Sequence, residues 1–288
     1  MKKIVITGAE SYIGTSVEKW LLKEPDKYRV DTIDMKNVSW KEMDFASYDV
    51  VFHVAAVVHQ QEKPEMKAHY LKVNRDLPIQ VAKKAKAMGV SQFIFISTMA
   101  VYGEEGKLGQ EVVISNRTPV NPKTLYSLSK MEAEAGLNKL NDDSFRVVVL
   151  RPPMIYGKGS KGNYPRLSIL ARKTPIFPDF KNERSMLHID NLCEFIKVMI
   201  FFHESGLFFP QNKEYVNTSE MVRLIAEVHG KKVWITKSLN PVLRLMYGVG
   251  AVNKLFGNLV YEHSMSDYNN VNYQMRTFRE TIELTEKW

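Results

Sequence analysis

The strongest constraint on the fold is the alternation of short apolar strands with helices along the first half of the chain. Runs rich in β-branched and aromatic residues predict strands at residues 3–7, 28–33, 49–54, 93–96 and 146–150, and helical patterns separate them. Strands that alternate with helices pair in parallel, and the helices cover both faces of the sheet. The sequence therefore predicts an α/β fold with a doubly wound parallel sheet.

The first strand is followed by a small-residue turn and then by a helix that extends to about Lys23. In such a turn, glycines permit a tight bend and let backbone amides approach a pyrophosphate at the helix N-terminus. Ser11 lies between two glycines, where its Cβ crowds a phosphate but its hydroxyl can donate to one. The alternative is an ordinary turn between a strand and a helix. The predicted phosphate-binding residues are Gly8, Ser11, Tyr12, Ile13 and Gly14.

The second predicted strand ends at Asp34, twenty residues after Gly14. A carboxylate at this position accepts hydrogen bonds from an adenosine ribose and repels a 2′-phosphate, so it favours NAD over NADP. Asp31 on the same strand is an alternative candidate, and Lys36 leaves NADP open. Asp34 is otherwise a strand-end aspartate that starts a turn.

The 93–96 strand is followed by Thr98, and the next helix contains Tyr126 and Lys130. Residues four apart share one face of a helix, so this phenol and this ammonium are expected side by side. A free tyrosine has a pKa near 10 and needs a nearby cation to act as a base at neutral pH. With the hydroxyl of Thr98, the pair is predicted to move a proton while a nicotinamide accepts or returns a hydride.

Three segments in this order resemble one known family. They are Ser97-Thr98-Met99-Ala100-Val101-Tyr102-Gly103, the stretch from Pro122 to Lys130, and the stretch from Leu150 to Gly157. Together they resemble the extended short-chain dehydrogenase/reductases, and within them the NAD-dependent epimerase/dehydratase family that includes UDP-galactose 4-epimerase. The likeness is good over about the first two thirds of the chain and loose afterwards.

The resemblance implies a Rossmann-type NAD(P)-binding domain over residues 1–150 and a smaller α/β substrate-binding lobe over residues 151–288, of which residues 185–203 pack back on the first domain. It also implies further site residues. For the cofactor, beside Tyr126 and Lys130, these are Asp44, Phe45, Ala55, Ala56, Asn74 and Pro153. For a nucleotide sugar, beside Thr98 and Tyr126, these are Met154, Asn163 and Arg184. Asn74 is otherwise a solvated helix residue, Arg184 a surface residue and the 157–163 loop a flexible linker.

Related 4,6-dehydratases place an acidic pair directly after the strand-end threonine. Here those positions are Met99 and Ala100, which have no proton to exchange, so dehydration is disfavoured. The resemblance then implies a 4-epimerase for a UDP-hexose or UDP-N-acetylhexosamine, in the supply of surface polysaccharide precursors. The alternatives are a reductase of 4-keto-6-deoxy nucleotide sugars and, outside enzymology, a non-catalytic cofactor-binding regulator.

The amino-acid composition restricts the compartment and the binding partners that we expect for this protein. The only cysteine, Cys193, excludes internal disulfides and indicates the cytoplasm. The net charge of +8 is spread along the chain without a dense basic run, so nucleic acid is not an expected partner. The seven histidines show no metal-ligand spacing, and no metal is expected.

The longest apolar stretch, residues 242–260, is too interrupted by polar residues to span a membrane. We interpret it as a packed amphipathic helix, with docking on a membrane surface as the lesser alternative. The family resemblance implies a homodimer that pairs through the predicted helices at residues 64–88 and 122–140.

Overall fold

The computed structural model describes residues 1–36, 38–58, 62–268 and 271–287. Its strands are β1 Lys2–Thr7, β2 Tyr28–Ile33, β3 Val50–His53, β4 Gln92–Ile96, β5 Val113–Ile114, β6 Arg146–Leu150, β7 Met154–Tyr156, β8 Ile176–Pro178, β9 Met186–His188, β10 Gly206–Phe208, β11 Trp234–Thr236 and β12 Val260–Tyr261. Its α-helices are α1 Tyr12–Leu21, α2 Lys67–Tyr70, α3 Leu77–Ala87, α4 Leu125–Asn138, α5 Asn163–Lys173, α6 Ile189–Phe201, α7 Thr218–Val228, α8 Asn240–Leu245, α9 Gly250–Phe256 and α10 Phe278–Glu286.

The chain divides into two units. The first comprises residues 1–103, 120–152 and 192–210, and the second comprises residues 104–119, 153–191 and 211–288. Residues 104–119 thus group with the second unit, although the predicted boundary lay after residue 150.

The first unit contains a six-stranded parallel sheet with the order β10-β6-β4-β3-β1-β2. Every residue of β3 and β4 is buried, because helices cover both faces of a parallel sheet. The predicted fold class is confirmed. Because all six strands run the same way, their carboxyl ends meet at one edge, where Thr7 pairs in register with Ile33 and with His53, and Ile96 pairs with Leu150.

The helix predicted at residues 64–88 is one continuous helical segment made of four parts with three geometries. A 3₁₀ turn at Pro64–Met66 leads into α2, a π-helical stretch covers Leu71–Asp76, and α3 follows with a proline in its first turn. Proline is tolerated there because the first amides of a helix have no partner within it. The π-helical stretch adds a wide turn at the position of Asn74, and such turns are frequent at functional sites.

The second unit has its own apolar core, built mainly from α5, α7 and the residues around Phe177 and Phe256. Three short two-stranded sheets contribute, pairing β7 with β9, β8 with β11, and β5 with β12. The α7 helix is strongly amphipathic, with Met221, Val222, Leu224 and Ile225 buried on one side. This core is separate from the one that flanks the six-stranded sheet.

The interpretation of residues 242–260 as a single packed helix is wrong. Two short helices, α8 and α9, are separated by an exposed turn, and only Leu243 of α8 is buried. Gly248 and Gly250 lie in and after this turn, and glycine lowers the stability of a helix interior by about 1 kcal/mol relative to alanine. Five large apolar side chains of this stretch are exposed to solvent: Val242, Leu245, Met246, Tyr247 and Val249.

Candidate active site

The turn after β1 has glycines, which carry no side chain, at two positions near the N-terminus of α1. Gly8 has φ +117°, and a Cβ on it would lie 2.9 Å from the amide nitrogen of Ala55. A Cβ on Gly14 would lie 2.5 Å from Oγ of Ser11 and 3.1 Å from the carbonyl oxygen of Gly8. Only glycine fits at either position, so the turn keeps its backbone close to β3 and presents no side chains at these two points.

Ser11 acts as the N-cap of α1. Its Oγ accepts a hydrogen bond of 3.0 Å from the backbone amide of Gly14, which satisfies one of the free amides of the first helical turn. Because Oγ is the acceptor in this bond, the hydroxyl proton stays free to donate to an anion. A serine at this position is therefore compatible with phosphate binding by the turn.

Asp34 lies next to this turn. The carbonyl oxygen of Ile33 accepts hydrogen bonds from the amides of Gly8 and Ala9, at 2.8 and 3.0 Å, which places the following residue, Asp34, beside the glycine turn. Asp34 is exposed and uses one carboxylate oxygen to accept from the amide of Lys36. Asp31, in contrast, accepts from the hydroxyl of Tyr48 at 3.0 Å. Asp34 is therefore the better-placed acceptor for a ribose.

Asn74 connects three segments beneath the site. It is fully buried, its amide oxygen accepts from the backbone of Val57 at 2.8 Å, and its amide nitrogen donates to the carbonyl of Val57 and to Oγ of Ser129. Ser129 in turn donates to the carbonyl of Tyr126. Asn74 thus fixes the segment after Ala55 and Ala56 against the helix that carries Tyr126, and it is not a solvated helix residue.

Thr98 and Tyr126 lie near each other. Thr98 caps the 3₁₀ turn at Met99–Tyr102 by accepting from the amide of Ala100 at 3.1 Å. Burial raises the pKa of Tyr126 to about 12, and the nearby hydroxyl of Thr98 acts in the opposite direction. The phenol of Tyr126 is therefore protonated at neutral pH.

The N-terminus of α4 is fixed by a residue from a distant segment. The two carboxylate oxygens of Glu62 accept from the backbone amides of Leu125 and Tyr126, at 2.6 and 3.1 Å. Thr124 and Ser127 complete a capping box at the same end. A carboxylate at a helix N-terminus is stabilised by the helix dipole, so Glu62 fixes both the start of α4 and the backbone of Tyr126.

Lys130 lies beneath the sheet edge and not against the hydroxyl of Tyr126. Its Nζ donates to the carbonyl oxygen of Ile96 at 2.7 Å and lies 4.5 Å from the centre of the Phe95 ring. Burial lowers the pKa of Lys130 to about 7, while the charge of Glu134 acts against this shift. The sequence predicted that this amine lowers the pKa of Tyr126, and the structure does not show this. The amine of Lys130 donates to a backbone carbonyl instead, and the pKa of Tyr126 is set mainly by burial.

Replacing Lys130 by methionine is expected to flatten the rise of stability above pH 7. Its pKa falls from 10.5 in the unfolded chain to about 7 in the folded one, so between these values the unfolded chain binds the extra proton. Wild-type stability should therefore rise with pH in this window, by up to about 1.4 kcal/mol per unit. Below about pH 7, Lys130 is charged in both the folded and the unfolded chain, so its contribution to stability no longer changes with pH. Urea unfolding of both proteins at several pH values checks this, and parallel stability curves would contradict it.

A buried ion pair connects α4 to the sheet. Arg151 donates three hydrogen bonds to Glu134, the shortest being 2.6 Å from Nη2 to Oε2, and both side chains are less than one tenth exposed. The hydroxyl of Ser97 donates to Glu134, and Nη1 of Arg151 donates to the hydroxyl of Tyr102 at 3.0 Å. This network joins the ends of β4 and β6 to the middle of α4.

His53 is buried in its neutral form. Its Nδ1 lies 2.7 Å from Oγ1 of Thr7, and burial, together with the charge of Lys130, lowers its pKa to about 3. It has no partner set suited to a metal: no group of three or more His, Cys, Asp or Glu side chains that could hold a metal occurs among the described residues.

The remaining predicted residues of the first unit occupy varied environments. Tyr12 and Ile13 begin α1, directly after the glycine turn. Asp44 is exposed and accepts from the amide of Ala46, whereas the Phe45 side chain is fully buried in the apolar core and contributes only its backbone to any ligand. Ala55 is held to β1 by the bond from its amide to the carbonyl of Thr7.

Four predicted residues lie in the second unit. Pro153 is buried, Met154 begins β7 and pairs in register with Met186, and Asn163 is exposed at the first position of α5. Arg184 is largely buried and donates to the carbonyl oxygen of Gly257 at 2.9 Å. Burial lowers its pKa, and within the described ranges no carboxylate lies within ion-pair distance of it. Arg184 is therefore not an ordinary surface residue.

Sequence reasoning did not identify the side chains that support the site through hydrogen bonds to distant segments. Glu62, Ser129, Glu134 and Arg151 make side-chain bonds across separations of 17 to 64 residues. The sequence signal for Arg151 was its position at a strand end, but nothing local indicates that Glu134, among the acids of α4, faces the sheet.

The carboxyl edge of the sheet has the features that a dinucleotide needs. The glycine turn offers backbone amides without side chains at two points, Ser11 keeps a free hydroxyl proton, and Asp34 stands beside the turn as a ribose acceptor. The residues present therefore fit an NAD-type cofactor. The fold and this edge define a Rossmann-type protein of the short-chain dehydrogenase/reductase class.

Comparison with known proteins identifies the family. A model described as "NAD dependent epimerase/dehydratase family" matches residues 4–208. The chain is 31% identical over 258 residues to a UDP-glucose 4-epimerase of Vibrio cholerae, covering 81% of this chain and 77% of that protein. The chain therefore belongs to the NAD-dependent epimerase/dehydratase family, and it is an extended short-chain dehydrogenase/reductase enzyme.

Solved structures share the fold. A UDP-glucuronic acid 4-epimerase from Bacillus cereus, in complex with NAD, superposes with a TM-score of 0.72 at 17% identity and covers 99% of this chain and 97% of its own. A dTDP-4-dehydrorhamnose reductase from Clostridium acetobutylicum superposes equally well at 19% identity, with 98% of each chain covered. Epimerases and reductases thus share this architecture.

Proposed function

We propose that the protein is an NAD-dependent 4-epimerase of a UDP-hexose or UDP-N-acetylhexosamine, which acts through a transient 4-keto sugar. The observation that carries the proposal is the proximity of the Thr98 side chain to Tyr126, together with Met99 and Ala100 at the two positions where dehydration requires acids. This arrangement supplies one proton-transfer group and no second acid. The 31% identity to a UDP-glucose 4-epimerase supports the same reaction.

In the proposed reaction, Tyr126 exchanges a proton with the 4-hydroxyl of the sugar, while Thr98 hydrogen-bonds to the same oxygen and orients it. A nicotinamide cofactor, held by the glycine turn and Asp34, would supply reversible hydride acceptance at C4. Rotation of the keto sugar between the two transfers presents its other face, so the configuration at C4 inverts. Proton and hydride both return to the sugar, and the cofactor is regenerated without an external reductant.

Arg184 supports an anionic substrate. A guanidinium that is largely buried, with a backbone carbonyl as partner and no carboxylate in ion-pair range among the described residues, is an incompletely compensated cation. Diphosphate oxygens suit it because the planar fork can bind two of them at once. We assign the diphosphate of the nucleotide sugar to Arg184, with Met154 and Asn163 as further substrate contacts.

Replacing Asp34 by serine is expected to shift cofactor preference toward NADP. The exposed carboxylate beside the glycine turn favours a ribose with free hydroxyls and repels a 2′-phosphate, so we propose NAD for the wild type. Removing the charge should weaken NADH binding and strengthen NADPH binding, changing the ratio of their dissociation constants by about tenfold or more. Fluorescence titration with each reduced cofactor measures the ratio, and Asp31→Ser is the matched control that should leave it unchanged.

A 4-keto reductase is the second candidate. The raised pKa of Tyr126 keeps its phenol protonated, which suits donation of a proton to a ketone oxygen. The structural likeness to a dTDP-4-dehydrorhamnose reductase agrees with this alternative. In that case cofactor would be consumed at each turnover, and a reduced cofactor would have to be supplied.

One experiment separates the two candidates. Purified protein is incubated with UDP-glucose, UDP-GlcNAc and their galacto epimers without added cofactor, and the sugars are followed by NMR. Interconversion of one pair would support an epimerase that retains NAD and would identify the substrate. No interconversion, together with oxidation of NAD(P)H by a 4-keto-6-deoxy nucleotide sugar, would establish the reductase in its place.

We also propose a cytoplasmic homodimer. The single cysteine, Cys193, is buried, and the helical segment 64–87 and α4 lie side by side in the first unit, linked by an ion pair of 2.8 Å between Arg75 and Glu132. Pairing of these helices with those of a second copy would form a four-helix interface. A monomer mass in light scattering at micromolar concentration would contradict the dimer.

A further inference from the structure

The second unit carries an exposed apolar turn between α8 and α9. Residues 244–251 are all exposed, and Leu245, at 89%, has almost no contact with the rest of the protein. Met246, Tyr247 and Val249 lie in the same turn with more than a third of their surface in solvent. Soluble proteins rarely expose large apolar side chains in such a contiguous run without a binding partner for them.

The turn is held in one conformation by its own hydrogen bonds. The amide of Val249 donates to the carbonyl of Met246 at 2.9 Å, and the side chain of Asn253 donates to the carbonyl of Tyr247 at 2.8 Å. The Tyr247 hydroxyl accepts from Gln110 at 2.8 Å. The apolar side chains are thus presented by a fixed turn, so binding would order few additional groups.

The charged residues in the chain around this turn are all basic. Between Val228 and Tyr261 there is no aspartate or glutamate, and five basic residues occur in this stretch. They are Lys231, Lys232, Lys237, Arg244 and Lys254, all of them exposed. None of the five has a carboxylate within ion-pair distance among the described residues, whereas Arg223 and Arg279, in the same unit, both pair with Glu227.

We propose that this basic apolar segment, residues 231–254, docks the protein on an anionic lipid surface. The segment combines exposed apolar side chains with Lys and Arg residues that have no carboxylate partner among the described residues, and these match the two parts of a lipid interface, the acyl boundary and the charged headgroups. Trp234, exposed at 70%, and Tyr247 are of the residue types enriched at such interfaces. No helix in the described part of the chain is long and apolar enough to cross a membrane, so the contact is peripheral.

Other occupants fit less well. An isologous contact with a second copy would bring Lys237 and Arg244 toward their own equivalents, which repel. A nucleic acid would match the charge but not the aliphatic side chains of Leu245 and Val249, since bases stack on aromatic and guanidinium groups. An anionic lipid surface satisfies both the charge and the aliphatic character, and the proposal is independent of the reaction that the first unit supports.

The test is co-sedimentation of the full chain with phospholipid vesicles at low ionic strength. Wild-type protein should bind vesicles that contain about one third phosphatidylglycerol, bind phosphatidylcholine vesicles weakly, and be released by about 0.5 M NaCl. Leu245→Ser should weaken binding about tenfold, and Lys237→Gln with Arg244→Gln should weaken it by a similar or larger factor. Leu284→Ser, which removes an exposed leucine from the acidic α10, is the matched control and should bind as wild type.

The following results would overturn the proposal. Wild-type protein that stays in the supernatant with anionic vesicles rules out the lipid surface, and so does a Leu245→Ser variant that sediments as well as wild type. A change of oligomeric mass in Leu245→Ser, without vesicle binding by the wild type, would assign the turn to a second copy. Retention on immobilised DNA that exceeds vesicle binding and survives Leu245→Ser would assign the basic residues to nucleic acid. Thermal unfolding of each variant confirms that these exposed substitutions leave the fold unchanged.

Discussion

Replacing Tyr126 by phenylalanine is expected to lower turnover by about a thousandfold while the protein stays folded. General acid–base catalysis contributes 10²- to 10⁴-fold, and this substitution removes the phenol group that we propose exchanges a proton with the substrate oxygen. The loss should appear in kcat with little change in KM, since the aromatic ring that we propose contacts the substrate remains. The NMR assay of sugar interconversion measures it.

The stability of the Tyr126→Phe variant should change by only about 1 kcal/mol, the usual value of one hydrogen bond. Tyr28→Phe is the matched control, because it removes the hydroxyl of a buried tyrosine of the same unit, at the amino end of β2 and away from the site edge. Tyr28→Phe should retain full turnover. Wild-type activity in Tyr126→Phe would overturn the assignment of the proton-transfer group.

Replacing Glu134 by leucine is expected to lower the free energy of unfolding by about 3–5 kcal/mol. The substitution leaves the guanidinium of Arg151 buried without its carboxylate, and an uncompensated buried charge is among the most costly single changes in a protein. The hydroxyl of Ser97 also loses its acceptor. Urea unfolding followed by circular dichroism measures the loss.

The double variant Glu134→Leu with Arg151→Met distinguishes charge burial from packing. When both charges are absent, most of the lost stability should return, because replacing a buried ion pair by apolar residues is often neutral. Glu283→Gln is the control: it breaks the exposed pair between Lys287 and Glu283 and should cost less than about 1 kcal/mol. A double variant as unstable as Glu134→Leu would contradict a charge-based explanation.

Local patterns were sufficient for much of the first unit. The strands at residues 28–33 and 146–150 and the glycine turn follow from composition and spacing over a few residues, and the structure contains both strands with these bounds. The short-chain dehydrogenase/reductase class also followed from motifs in one order along the chain. The assignment of site residues stays a prediction, although Thr98 and Tyr126 do lie near each other in the structure.

Local patterns failed where a side chain chooses between partners that are distant in sequence. Tyr126 and Lys130 share a helical face as predicted, yet the amine of Lys130 reaches the carbonyl of Ile96. The stretch 242–260 has helical composition, yet its glycines and the core around Leu243 divide it into α8, a turn and α9. In both cases the outcome depends on which groups the fold leaves unsatisfied, and that information is not local.

The sequence by itself determined the order of strands and helices, the positions of the glycine turn and of Asp34, and the family, because these depend on backbone preferences and on residues close together in the chain. The tertiary structure decided the electrostatics of the site. It placed Glu62 at the start of α4, paired Glu134 with Arg151, and lowered the pKa of Lys130 to about 7. A pKa and a buried ion pair depend on solvent exclusion and on charges brought together across many residues, and only the folded chain sets these distances.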